Sequence, residues 1–106
     1  MSALTASQLF GSSATLTSST LTISLADLAA TGLDGASPSA SQVAAALVKH
    51  WQTNTAGKQD DSEAGVYVGD APFFALARNN TQIEQQYAVS FYRSAGNIST
   101  DPDEVV

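Results

Sequence analysis

The chain of 106 residues contains no cysteine and only one histidine, His50. Without cysteine there is no disulfide frame, no cysteine zinc site and no thiol nucleophile. A single histidine excludes a multi-histidine metal site and leaves at most one Ser-His arrangement. We interpret His50 as a helix-flank residue in contact with solvent, and we expect no catalytic residue, no metal site and no cofactor.

Basic residues are also scarce: four Lys or Arg stand against ten Asp or Glu, which gives a formal net charge of −6. No basic stripe can follow a phosphate backbone, so we expect no nucleic-acid partner. Six of the acids form two clusters, over residues 60–63 and 101–104. Their spacing lacks the alternating acids and central glycine of a calcium loop, so solvated loops are the simpler interpretation.

Long apolar runs are missing as well. No segment approaches the roughly 18 apolar residues of a membrane helix. The first ten residues have neither a basic region nor an apolar core of the kind found in signal peptides. The sequence therefore predicts a soluble protein made in the cytoplasm, without a membrane partner.

Small residues dominate what is present: serine, threonine and alanine account for 42 of the 106 residues. Hydrophobic residues make up 43% of the chain, enough for a folded core of modest size. We expect a flexible N-terminal arm over residues 1–13, one α+β domain over residues 14–98 and an acidic, exposed C-terminal tail over residues 99–106.

Residues 14–25 alternate between apolar and hydroxyl side chains, which is typical of a half-buried strand. Leu16 and Leu21 differ in parity, so one flat strand cannot bury both on the same face. A turn or bulge at Ser18–Ser19 restores the register, and we expect two short strands or one kinked strand here.

One helix is predicted over about residues 38–52, where apolar residues recur every three or four positions. Either Ser37 caps it with Pro38 as the first helical residue, or Ser39 caps it together with Gln42. The apolar stripe consists of Val43, Ala44, Leu47, Val48 and Trp51.

The last third of the chain predicts strands: a short one at Val66–Val68, then the two arms of a hairpin over residues 73–78 and 83–93. Asn79 and Asn80 tolerate the positive φ of a tight turn. We therefore predict an α+β fold, mainly an antiparallel sheet of about three to five strands with the helix on one face. The apolar stripe of the helix should pack against Tyr87, Val89 and Phe91.

Aromatic residues occur on both parities of the hairpin, and one helix cannot cover both faces. If Phe74 and Leu76 meet the helix, Phe73 faces outward, and Tyr92 lies opposite Phe91. We therefore select Phe73, Tyr92 and the N-terminal Phe10 as candidate interface residues. A curled sheet that buries both of its own faces is the alternative.

Two functional classes fit this pattern. The first is a non-enzymatic structural or assembly protein, such as a bacteriophage virion component (a head decoration, tail or baseplate subunit). Its partners would be copies of itself or other subunits, and we expect a homo-oligomer. The alternative is a small cytoplasmic module that binds a peptide or ligand on a sheet face or an edge strand.

Overall fold

The computed structural model describes residues 3–69, 72–96 and 98–106. It is a mixed α+β structure with one long helix packed against antiparallel strands, which confirms the predicted fold class. The α-helices are α1 (Ala6–Phe10) and α2 (Ala40–Thr55), and two 3₁₀ helices span Leu25–Thr31 and Pro102–Glu104. The strands are β1 (Thr15–Leu16), β2 (Leu21–Thr22), β3 (Val66–Val68), β4 (Phe73–Ala77), β5 (Gln82–Gln86) and β6 (Val89–Phe91).

The strands of the described residues form three separate two-stranded antiparallel pairs, β1–β2, β3–β6 and β4–β5, rather than one sheet. β1 and β2 confirm the two short strands predicted from the parity of Leu16 and Leu21, which lie directly opposite each other. The β4–β5 hairpin is inserted between β3 and β6, so one pair is nested inside the other.

α2 begins where Ser39 caps it, with the Ser39 hydroxyl accepting from the Gln42 amide at 3.1 Å and the Gln42 side chain accepting from the Ser39 amide at 2.8 Å. Of the two predicted caps this is the second, and the helix runs from residue 40 to 55 instead of 38 to 52. Both capping groups satisfy helix-end donors that would otherwise lack a partner.

The best-buried side chains lie where α2 meets β3 and the first 3₁₀ helix. Leu28, Thr55 and Val68 are 0% exposed. The Thr55 hydroxyl accepts a hydrogen bond from the amide of Val68 at 3.1 Å, so α2 covers this part of the edge of β3 with a polar partner. We call α1, α2, β3, β6 and the first 3₁₀ helix the body.

The predicted contact between the stripe of α2 and Tyr87, Val89 and Phe91 is wrong. The Trp51 indole instead donates to the carbonyl of Leu9 at 2.7 Å, and its ring meets Phe10 edge-on at 6.4 Å. α2 packs on β3, and β3 in turn pairs with Val89 and Phe91 of β6. Its most buried residues, Ala46 and Thr55, fall outside the predicted stripe.

Both terminal segments contain structure that the sequence did not predict. In the predicted N-terminal arm, of which residues 1–2 lie outside the described residues, Ala6–Phe10 form a helix capped by Thr5 with Gln8, and this helix packs on α2. In the tail, which was expected to be exposed, Val105 bridges to Arg93 and the Val106 amide donates to the Tyr92 carbonyl at 2.9 Å. The domain boundaries at residues 13 and 98 stay a prediction.

Gly65 permits this tail contact. A Cβ at position 65 would collide with the carbonyl oxygen of Val106, so only glycine allows the tail to approach β3 so closely.

Candidate functional site

None of the ten strand residues of the β4–β5 hairpin is buried, whereas two of the three residues of β3 are. Its turn places Arg78, Asn79 and Asn80 at φ of 55°, 60° and 62°, which confirms the predicted role of the two asparagines. The predicted second arm over residues 83–93 is wrong in its partner: it breaks at Tyr87–Ala88, and Val89–Phe91 pair with β3 instead of β4.

One face of the hairpin is apolar and uncovered. Leu76 lies opposite Ile83, and Phe74 lies next to them on the same face, opposite Gln85. Phe74 is 58% exposed, and Leu76 and Ile83 are each 67% exposed. We call these three residues the apolar face. The condition from which Phe73 was chosen, that Phe74 and Leu76 meet the helix, is therefore not fulfilled.

The other face mixes one aromatic ring with small and polar residues. Phe73 is 65% exposed there, and Ala75 and Ala77 follow it on the same side of β4. Opposite them β5 presents Gln82, Glu84 and Gln86, and the Gln86 amide donates to the Glu84 carboxylate. This face is more polar than the apolar face.

At the base of the hairpin, an open cleft of about 660 Å³ separates it from α2. Gln85 and Tyr87 line it from the hairpin side, and the Gln85 amide donates to the Tyr87 hydroxyl at 2.8 Å. Lys49 lines it from α2 and donates to the Thr31 carbonyl at 2.8 Å. Gln85 shares a strand face with Ile83, so the apolar face continues toward this cleft.

The three candidate interface residues lie on three different parts of the chain. Phe73 is exposed on β4, as predicted. Tyr92 is half-buried after β6 and lines a small cleft with Asp60 and Asp61. Phe10 is half-buried against Trp51 and belongs to the packing between α1 and α2.

The sequence analysis missed Phe74, Leu76 and Ile83 as surface residues. Apolar side chains on both parities of β4 indicated an exposed face unless the sheet curled to bury both. Both faces of β4 carry exposed apolar side chains, because α2 packs on β3.

His50 lies half-buried on α2, with the Asn54 side-chain amide within 3.4 Å of its ring nitrogens and bonded to its backbone carbonyl at 2.9 Å. Residues 3–69, 72–96 and 98–106 contain no cluster of three potential metal ligands and no helix that is long and apolar enough to span a bilayer. The most distinctive surface of the described chain is thus the exposed hairpin.

Comparison with known proteins finds no matching family model, no significantly similar curated protein and no significantly similar solved structure.

Proposed function

We propose that this chain is a non-enzymatic structural or assembly protein that binds its partner through the β4–β5 hairpin. The observation that carries the proposal is the apolar face, where Phe74, Leu76 and Ile83 are 58%, 67% and 67% exposed side by side. Contiguous exposed apolar residues are a feature of protein interfaces, whereas single exposed apolar residues are ordinary.

The energetics favour a covered hairpin. Complete burial of a Leu, Ile or Phe side chain contributes about 1.5–3 kcal/mol. In the isolated chain the three side chains of the apolar face are mostly exposed, so most of this burial free energy is not gained. A two-stranded hairpin without a helix or a third strand is also only marginally stable in water. A partner that docks on the hairpin buries part of this apolar surface and supplies the support.

The finer assignment, to a bacteriophage virion component, is supported by composition alone. The chain has no cysteine, few charges and a large share of Ser, Thr and Ala. Head decoration, tail and baseplate subunits are the classes that we favour for such a protein.

Light scattering coupled to size-exclusion chromatography tests the proposal. We expect the wild-type chain to exceed its monomer mass of 10.9 kDa and to dissociate on dilution. Leu76→Ser removes one apolar side chain from the interface. It should raise the protein concentration at which half of the assembly dissociates at least tenfold, which corresponds to a loss of about 1.4 kcal/mol of association free energy.

Leu16→Ser is the matched control, because Leu16 is 64% exposed on β1 and Leu76 is 67% exposed on β4. The control should leave the midpoint unchanged, and circular dichroism should show the same helix content in all three proteins. A wild-type chain of monomer mass at every concentration contradicts self-assembly. Equal effects of the two substitutions would show that the hairpin is not the interface.

The cleft between α2 and the hairpin favours the second candidate function, a peptide- or ligand-binding module. Its volume of about 660 Å³ is in the range of small-molecule sites. A strictly monomeric chain whose amide resonances at Lys49, Gln85 and Tyr87 shift together on titration with a fragment library would support this function instead.

A further inference from the structure

We infer that the partner of the hairpin is a second copy of this chain, and that two copies pair antiparallel along β4 to form one four-stranded sheet. This inference rests on the proposed assembly function and names its partner. It also fixes the register, with Ala75 of one copy opposite Ala75 of the other.

The first observation is an open strand edge. Among the described residues β4 pairs only with β5, so no other strand is bonded to its outer edge. The edge of β3, in contrast, is covered at Val68 by Thr55. Natural proteins protect open edges with lysine, proline or a bulge. β4 has the sequence Phe-Phe-Ala-Leu-Ala and carries none of these devices.

The second observation is that β4 is complementary to itself. A two-fold axis at Ala75 places Phe74 opposite Leu76 of the second copy, on the apolar face. On the other face it places the large Phe73 opposite the small Ala77. Every cross-strand pair is apolar, and such pairs stabilise a sheet.

The same operation on β5 is unfavourable. A two-fold axis at the centre of β5 places Glu84 opposite Glu84 of the second copy, and like charges that face each other directly destabilise a sheet. The remaining pairs would join Ile83 to Gln85 and Gln82 to Gln86. β4 is therefore the edge that accepts a second copy.

Charge favours the same approach. The chain has a net charge of −6, so two copies repel each other over most of their surfaces. Glu84 is the only charged residue in the ten strand positions of the hairpin. Six of the ten acids lie in residues 60–63 and 101–104, outside these strands. At the outer edge of β4, therefore, two copies can meet without placing negative charges opposite each other.

The product is more stable than its parts. Two marginal ribbons become a sheet of four strands, above the minimum of three at which a sheet with an apolar face becomes stable. The apolar faces of the two copies join into one strip, with Phe74 and Leu76 of both chains at its centre and Ile83 at either side.

The absence of cysteine makes a direct test possible. Directly opposed residues of an antiparallel pair have Cα atoms about 4.5–5.5 Å apart, which suits a disulfide. We expect Ala75→Cys to form a covalent dimer when oxidised glutathione accepts the two electrons and two protons of the paired thiols. Yield is measured by non-reducing gel electrophoresis at a concentration where the wild type associates.

Ala77→Cys is the matched control. It changes the same residue type on the same face of β4, but the predicted register offsets the two Ala77 residues by about 13 Å along the strands. We expect at least tenfold less covalent dimer from this variant alone. Mixing it with Phe73→Cys should restore a covalent heterodimer, because positions 73 and 77 are opposed.

The outcomes separate the two proposals. Stronger cross-linking of Glu84→Cys than of Ala75→Cys would overturn the β4 register and leave hairpin-mediated assembly standing. The same holds if Ala75→Cys and Ala77→Cys cross-link equally, or if neither does so in a chain that associates. A chain of monomer mass at every concentration overturns the pairing of two copies and, with it, self-assembly through the hairpin.

Discussion

Strands β3 and β4 carry similar side chains but have opposite environments. β3, with the sequence Val-Tyr-Val, has two buried residues, and α2 covers its edge at Val68. β4 is longer and equally apolar, yet Phe73, Phe74 and Leu76 are each more than half exposed. Apolar content therefore does not decide which strand enters the core of this protein. Position relative to α2 does.

The contrast between buried β3 and exposed β4 also separates residues that stabilise the fold from residues that are available for binding. Removal of a side chain from the body should cost folding free energy, whereas the same change in the hairpin should cost association. Each of the following predictions compares a residue that stabilises the body with an exposed residue of the same type as its control.

The largest contrast should be between two leucines. Leu28 is 0% exposed and Leu76 is 67% exposed. Leu28→Ala should lower the free energy of unfolding by about 2–5 kcal/mol, because it leaves a cavity. Leu76→Ala should lower it by less than about 0.5 kcal/mol, as exposed substitutions do. Urea unfolding at a concentration where the chain is monomeric measures both. Equal losses would show that the hairpin is part of the core.

A smaller effect is expected at the polar contact between α2 and β3. Thr55→Val keeps the shape of the side chain but leaves the Val68 amide without its acceptor. Since that amide is bonded to a buried threonine, the loss should be about 1–3 kcal/mol.

The control for this contact is Thr53→Val, on an exposed face of the same helix. It should change the unfolding free energy by less than about 0.5 kcal/mol. Faster hydrogen exchange of the Val68 amide in the Thr55 variant alone would support the assignment. An unchanged unfolding midpoint in both variants would contradict it.

The smallest effect should come from the helix cap. Ser39→Ala removes the acceptor for the Gln42 amide and should cost about 1 kcal/mol. Ser41→Ala, two residues later and exposed within the helix, should be neutral or slightly stabilising, because alanine is the better helix former. The difference between the thermal unfolding midpoints of the two variants measures the contribution of the cap to stability. Equal midpoints would show that the cap contributes nothing.

Features with local causes were predictable from the sequence. α2 follows from its periodicity and from the Ser39–Gln42 capping box, and the hairpin turn follows from Asn79 and Asn80. The turn between β1 and β2 follows from the parity of Leu16 and Leu21. Helix α1 was missed although Thr5 and Gln8 form the same capping pattern, because a five-residue helix shows too little periodicity.

Features with non-local causes were not predictable. Ile83, Tyr87, Val89 and Phe91 share one parity on both sides of the observed break, so the pattern does not show that the chain changes its pairing partner at Tyr87–Ala88. The tail contact depends on Gly65 and Val106, which are far apart in sequence. Whether Phe74 and Leu76 meet the helix is also non-local, because it depends on where α2 packs.

The nesting of β4–β5 inside β3–β6 has a consequence for the order of folding. A hairpin with a short turn forms in about 1–10 μs, and contacts between distant residues form later because a longer loop must close first. Val66 must find Phe91 across the whole intervening segment. Once Phe73 has paired with Gln86, only the short connections on either side remain to be closed. We therefore expect the hairpin, which buries little in the finished molecule, to shorten the search that brings β3 and β6 together.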